Sequence, residues 1–213
     1  MVASSWAEAI PLFPLPEVVL FPGGWLPLHI FEPRYREMIN DVLKTDSRFG
    51  VVMIDPSTGE PAKHGCSAVI VNCKRLQDGR MNLMTVGQQR FRLIHVNQEK
   101  PYIIGQVEWI DDNPTDKDLK EKATELKEIL KDVVKLSAKL SDKNIEFPDD
   151  LPTDPLELSY WVAGSVYGLT EEQQSLLEME DTELRLEREQ DILVTLRKEL
   201  AARTALKEAF SSK

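Results

Sequence analysis

The chain has 213 residues, 42% of them hydrophobic and 29% charged, enough for one large domain or two small ones with a real core. Its net charge is −10, carried unevenly: residues 1–112 hold 11 Lys/Arg against 13 Asp/Glu, and residues 113–213 hold 15 against 23. That balance argues against a nucleic-acid binder, which needs clustered cations for phosphate, and against an anionic membrane surface. No apolar run approaches the ~20 residues of a membrane helix, and MVASSWAEAIPLF lacks the basic and long apolar regions of a secretory signal. The expected location is cytoplasmic. Two cysteines, Cys66 and Cys73, are too few for a disulfide framework, and no tetrahedral metal set surrounds them. They read as packed structural thiols, so neither a metal nor a cofactor is expected.

The first unit, Ile10–Leu43, reads as strand, tight turn, strand and helix. Apolar runs Ile10–Leu15 and Val18–Phe21 lead to the breaker Pro22-Gly23-Gly24, and Leu26–Phe31 resumes an extended run. Glu32-Pro33 opens a helix, since proline suits a first helical position whose N–H would be unpaired anyway. Tyr35, Met38, Ile39, Val42 and Leu43 fall on one face of it.

Further strands are expected at Arg48–Ile54, Cys66–Cys73, Met81–Val86, Arg90–Val96 and Tyr102–Ile110. Asp78-Gly79 signals a hairpin with a type I′ turn. Gly87-Gln88-Gln89 is expected to turn the chain again, and Gly105 to mark a bulge or a close backbone approach. Six or seven short strands with one helix near the front imply a small twisted barrel or sandwich.

At Asp111-Asp112-Asn113-Pro114 the pattern changes to helix. Leu119, Ala123, Leu126, Ile129, Leu130, Val133 and Leu140 make one apolar stripe from Thr115 onward. Residues 141–152 form a polar connector. Asp154-Pro155-Leu156-Glu157 starts a helix that Gly168 ends; Thr170 and Thr182 are expected to cap two more, the last running to about Phe210. Leu186, Leu193 and Leu200 recur at heptad spacing there, which favours internal packing over a coiled coil of so few heptads.

The residues carry a family signature. Pro11-Leu12-Phe13-Pro14-Leu15, Val19-Leu20-Phe21-Pro22-Gly23 and Pro27-Leu28-His29-Ile30-Phe31-Glu32-Pro33-Arg34-Tyr35 come first. Gly87-Gln88-Gln89-Arg90-Phe91-Arg92, Pro101-Tyr102 and Gly105-Gln106-Val107 continue it, with Leu156-Glu157-Leu158-Ser159 in the helical part. The sequence resembles the Lon-protease substrate-binding domain, the N-terminal PUA-like domain of that ATP-dependent protease. The resemblance implies an α+β protein: a PUA-like twisted β-barrel with one inserted helix in residues 1–112, then a C-terminal helical bundle in residues 113–213. It implies recognition of polypeptide, or of a partner protease or chaperone. Lon proteases continue into an ATPase and a Ser–Lys peptidase. This chain has no G-x-x-x-x-G-K-[ST] loop, since no glycine is followed by lysine. It therefore looks like a stand-alone, non-catalytic member of the family, for which the resemblance implies a role as an adaptor for proteolysis.

Site candidates follow. His29, His64 and His95 lie in separate apolar segments and read as core or edge histidines rather than general bases. Ser165 lacks the flanking glycines of a nucleophile elbow. A hydrolase would need His64, Cys66 and a carboxylate brought together. No catalytic residue is assigned. Phe21, Trp25 and Leu26 are the candidate substrate-binding residues: Trp25 either folds back over the barrel end or stands exposed with Leu26 as an apolar patch. Glu32 and Arg34 read as a structural pair at the helix entry. The alternative is an RNA-binding PUA-like regulator using a basic face of Arg80, Arg90 and Arg92, with Lys74 and Arg75. Cross-strand ion pairs are the competing account of those arginines.

Overall fold

The computed structural model describes residues 7–55, 57–97, 100–141, 147–148 and 150–211. In chain order they form β1 (Glu8–Pro16), β2 (Trp25–Ile30), α1 (Pro33–Val42), β3 (Arg48–Ile54), β4 (Pro61–Arg75), β5 (Met81–Asn97) and β6 (Ile104–Ile110). Then come α2 (Lys120–Ser141), α3 (Pro155–Ser165), α4 (Thr170–Glu178) and α5 (Thr182–Ser211). The chain is α+β and divides into two compact units. One holds Met1–Asp112 with Ala163–Glu180; the other holds Asn113–Val162 with Asp181–Lys213.

In the first unit β1 runs parallel to β3, with Leu12 opposite Gly50, and antiparallel to β6, with Ile10 opposite Gly105. β3 pairs with β4, β4 with β5, and β5 with β6. Those pairings close a ring of five strands. β2 lies outside the ring, paired only with the first half of β5. Among the described residues, its strands and α1 carry two apolar clusters. α1 contributes Tyr35, Met38, Ile39 and Val42, the face its spacing requires, to a cluster with Phe13, Phe49, Val51 and Met81. Ile10, Leu12, Val52, Phe91 and Val107 form the second.

β5 differs from expectation. Two strands separated by a turn at Gly87-Gln88-Gln89 are one strand of 17 residues. The glycine serves a close approach instead of a turn. A Cβ at Gly87 would lie 2.1 Å from the Phe21 carbonyl oxygen. Gly87 N–H donates to the Gly24 carbonyl at 2.8 Å, and Gly23 N–H donates to the Gly87 carbonyl at 2.9 Å. One extra residue of β5 is absorbed as a register shift against β4 between Cys66 and Ala68. The run Val18–Phe21 is likewise not a strand; it buries Leu20 and Phe21. The hairpin at Asp78-Gly79 is present, closed by Leu76 N–H to the Arg80 carbonyl at 2.8 Å. Only Gly79 has positive φ there, which fits a three-residue loop and not a two-residue type I′ turn.

The second unit is built on α2 and α5. Leu119, Ala123, Leu126 and Leu130 pack with Leu158, Val162, Leu186 and Leu193, so two of the three heptad leucines of α5 are used in this core. Beside them Ser159, Arg185 and Glu189 are fully buried. Arg185 Nε donates to Ser159 Oγ at 2.7 Å, and Ser159 Oγ donates to Glu189 Oε1 at 2.7 Å. Asp154 caps α3 through Oδ1, 3.0 Å from the Leu156 N–H. The other two caps shift by one residue. Leu169 precedes α4 without a side-chain cap, and Asp181, not Thr182, caps α5 through the Leu184 N–H at 3.0 Å. The connector at 141–152 lies partly outside the described residues. The end of α3 and all of α4 fall with the strands, where residues 113–213 were expected to form one helical subdomain.

Candidate functional site

β2 has a period of two. Leu26, Leu28 and Ile30 turn toward the core, while Trp25, Pro27 and His29 are exposed. Register carries that exposed face onto β5 and β4. Trp25 stands opposite Val86, which stands opposite Val69; Pro27 stands opposite Met84, which stands opposite Asn72. Val71 projects from the register shift between Ile70 and Asn72. Trp25 is 66% exposed, Val71 50% and Met84 37%. Phe31, 61% exposed, stacks on His29 with ring centroids 6.2 Å apart, and His29 Nδ1 lies 2.6 Å from Asn82 Oδ1. The result is an apolar outer face on β2, β5 and β4.

The turn before it sets the aim of Trp25. Gly24 N–H donates to the Phe21 carbonyl at 3.0 Å, and Gly23 has φ +74, so Phe21-Pro22-Gly23-Gly24 is a type II turn with proline and glycine in their preferred places. β2 is an edge, and a blunted one. With Gly87 bonded to Gly24, ladder alternation directs the backbone groups of Leu26 and Leu28 to β5 and those of Trp25, Pro27 and His29 away from it. Pro27 has no N–H to offer there, which disfavours strand addition and leaves the side-chain face as the available surface.

Next to Val69 and Val86 an open groove of about 690 Å³ is lined also by Gly23, Asp46, Arg48, Ser67 and Gln88. Its polar groups are occupied. Arg48 pairs with Asp46 at 3.0 Å and with Glu8 at 2.6 Å, and Ser67 Oγ donates to the Gln89 carbonyl at 3.1 Å.

The expected site residues are therefore dispersed. Trp25 is on the outer face. Leu26, one residue on, turns to the opposite face and packs against the core, because successive strand residues alternate. Phe21 is 2% exposed and is not a contact residue. The three arginines do not share a basic face. Arg80 pairs with Asp78 at 2.7 Å. Arg92 pairs with Glu180 at 2.7 Å and Glu108 at 3.2 Å. Arg90 is 1% exposed: it forms an ion pair with Asp112 and donates to the carbonyls of Leu177 at 2.7 Å and Met179 at 2.6 Å. Pro27, Phe31, Met84 and Val71 were missed; the alternation Trp25/Pro27/His29 and Asn82/Met84 was the available signal.

Catalytic chemistry finds no support in the expected cluster. Cys66 is fully buried, and burial pushes its thiol up to about 12, the opposite of an activated nucleophile. Glu178 Oε1 lies 3.5 Å from His64 Nδ1, and Arg92 Nε lies 3.4 Å from His64 Nε2. Among the described residues no group of three or more His, Cys, Asp or Glu is placed to hold a metal ion. No helix among them is long and apolar enough to cross a membrane.

Residues 9–195 match the family described as the ATP-dependent protease La (LON) substrate-binding domain. The chain belongs to that family. Lon protease 2 of Myxococcus xanthus is 28% identical over 187 residues, covering 84% of this chain and 22% of the relative. The Lon protease of Dictyoglomus thermophilum is 26% identical over 192 residues, 85% of this chain and 24% of the relative. The chain thus spans about a fifth to a quarter of the curated relatives, the part that is the LON substrate-binding domain. Among solved structures, a Lon N-terminal domain protein from Xanthomonas campestris aligns with TM-score 0.62 and 27% identity, covering 85% of this chain and 96% of that one. The N-terminal domain of a Mycobacterium avium complex Lon protease shares the fold, with TM-score 0.67 and 18% identity, covering 90% of this chain and 98% of that one. The α+β fold of this LON domain is that of the Lon N-terminal domains.

Proposed function

We propose that this LON domain is a non-enzymatic polypeptide-binding module that holds extended, unfolded segments on the outer face of β2, β5 and β4, with Trp25 as the anchor. The observation that carries this reading is the contiguous exposure of Trp25, Pro27, Met84 and Val71 on one register-aligned face. Large exposed aromatic side chains on a sheet bury much apolar area on binding at little conformational cost, and a methionine beside them adapts its shape to varied partners. Membership of a substrate-binding domain family supports the same reading. Delivery of the bound segment to a protease or chaperone is the role that follows for such a module. The RNA reading loses its residues, since Arg90 is buried and Arg80 and Arg92 are paired with carboxylates.

The test is titration of a fluorescently labelled, permanently unfolded polypeptide against the wild-type protein and Trp25→Ala. Loss of an anchoring aromatic should weaken binding by roughly tenfold or more. Absence of binding across a panel of unfolded polypeptides, or equal affinity in Trp25→Ala, overturns the proposal.

A further inference from the structure

The outer face is apolar at one end and cationic at the other, and this polarity goes beyond a general affinity for unfolded chains. Its rows follow the strand repeat of about 7 Å per two residues. Trp25 and Val86 make the first row, Pro27 and Met84 the second, and His29, Asn82 and Lys74 the third. Lys74 is exposed on this face and makes no ion pair among the described residues, whereas Arg75, opposite the buried Met81, turns to the other face of the sheet. At the opposite end, beside Val69, Arg48 is shared between Asp46 and Glu8.

Resting on the polypeptide-binding reading above, we infer that the preferred ligand is an extended segment with apolar side chains at two alternate positions and acidic residues beyond them at the Lys74 end. Same-side residues of an extended chain recur at the same interval of about 7 Å as the rows. Two apolar side chains thus fill the Trp25 and Met84 rows while a carboxylate reaches Lys74. Single-stranded nucleic acid fits less well. It needs cations along the whole track of its backbone, and the first two rows offer none.

The experiment compares short labelled peptides that share one alternating apolar pair and differ only in the flank: Glu-Glu, Gln-Gln or Lys-Lys. Anisotropy titrations at low ionic strength should show the Glu-flanked peptide binding about three- to tenfold more tightly than the Lys-flanked one, with Gln between. The preference should collapse in about 1 M salt, where the screening length is about 3 Å. It should invert in Lys74→Glu, whose exposed position leaves the core untouched. Equal affinity for the three flanks, with all three still weakened by Trp25→Ala, overturns the charge inference and leaves the polypeptide-binding reading standing. Binding that ignores Trp25→Ala for every peptide overturns that reading itself. A single-stranded RNA whose binding falls with both variants, and which displaces the peptides, assigns the face to nucleic acid and overturns the inference.

Discussion

In the first half of β5, Met84 and Val86 stand on the outer face beside an exposed Trp25; a few residues on, the guanidinium of Arg90 is buried. The same strand leaves apolar groups in water and takes a charge out of it. Side-chain polarity does not decide between these outcomes; what lies over the strand does. Over Arg90 lie the Asp112 carboxylate and two carbonyls at the end of α4, which replace the water that a guanidinium gives up. Over Met84 and Val71 no such cover exists among the described residues.

Removing the arginine is the strongest way to break this contrast. Arg90→Ala leaves a buried carboxylate and two carbonyls without their donor, and unfolding in urea should show a loss of about 3–5 kcal/mol. A loss below 1 kcal/mol would mean that water serves Asp112 as well as Arg90 does. Gly87→Ala comes next. Its methyl group would meet the Phe21 carbonyl, a backbone atom that only a shift of the whole turn can move. A cost of about 1–3 kcal/mol is expected, again from urea unfolding.

Acid tests a smaller feature of the same unit. Asp41 accepts hydrogen bonds from Tyr102 at 2.9 Å, Lys44 at 3.1 Å and Lys100 at 3.3 Å, which hold its carboxyl down to about 2. In the unfolded chain the group titrates near 3.9. Its stabilisation is therefore complete above about pH 4 and is lost as pH falls toward about 2. Asp41→Asn should flatten the dependence of the urea midpoint on pH across that window and leave the slope at neutral pH unchanged. The smallest effect belongs to the outer face. Trp25→Ala should change stability by no more than about 0.5 kcal/mol, because an exposed side chain has little native packing to lose. A thermal shift of many degrees would show that the indole holds the fold together and is not kept free for a ligand.

The same contrast explains what could be read from the sequence. The strand and helix segments were legible, because period-two runs such as Trp25–Ile30 and the α1 stripe report one-sided burial directly. Pro33 at the helix start and Asp154 as a cap were legible for local reasons. Gly87 was misread because a glycine demanded by a neighbour 66 residues earlier in the chain looks like a glycine demanded by a turn. Arg90 and Arg92 look like a basic face for a similar reason. Their partners Asp112 and Glu180 are 22 and 88 residues away, and no local pattern records them. Trp25 was singled out by its odd position after two glycines and is exposed, but pairing it with Leu26 ignored the alternation that separates them. Its true neighbours, Met84 and Val71, come from strands whose register only the folded sheet reveals.

The return of residues 163–180 to the strand unit has a consequence for how the protein is made. A ribosome releases the chain in order, so all six strands leave the tunnel before α4 does. The 68 residues separating Asp112 from Glu180 take roughly 3–14 s to add at about 5–20 residues per second. For that interval Arg90 already has its carboxylate but not its two carbonyls, and the nascent strands carry an unfinished seam. A released chain ending at Glu180 should yield a strand unit that resists protease, whereas one ending at Asp112 should not.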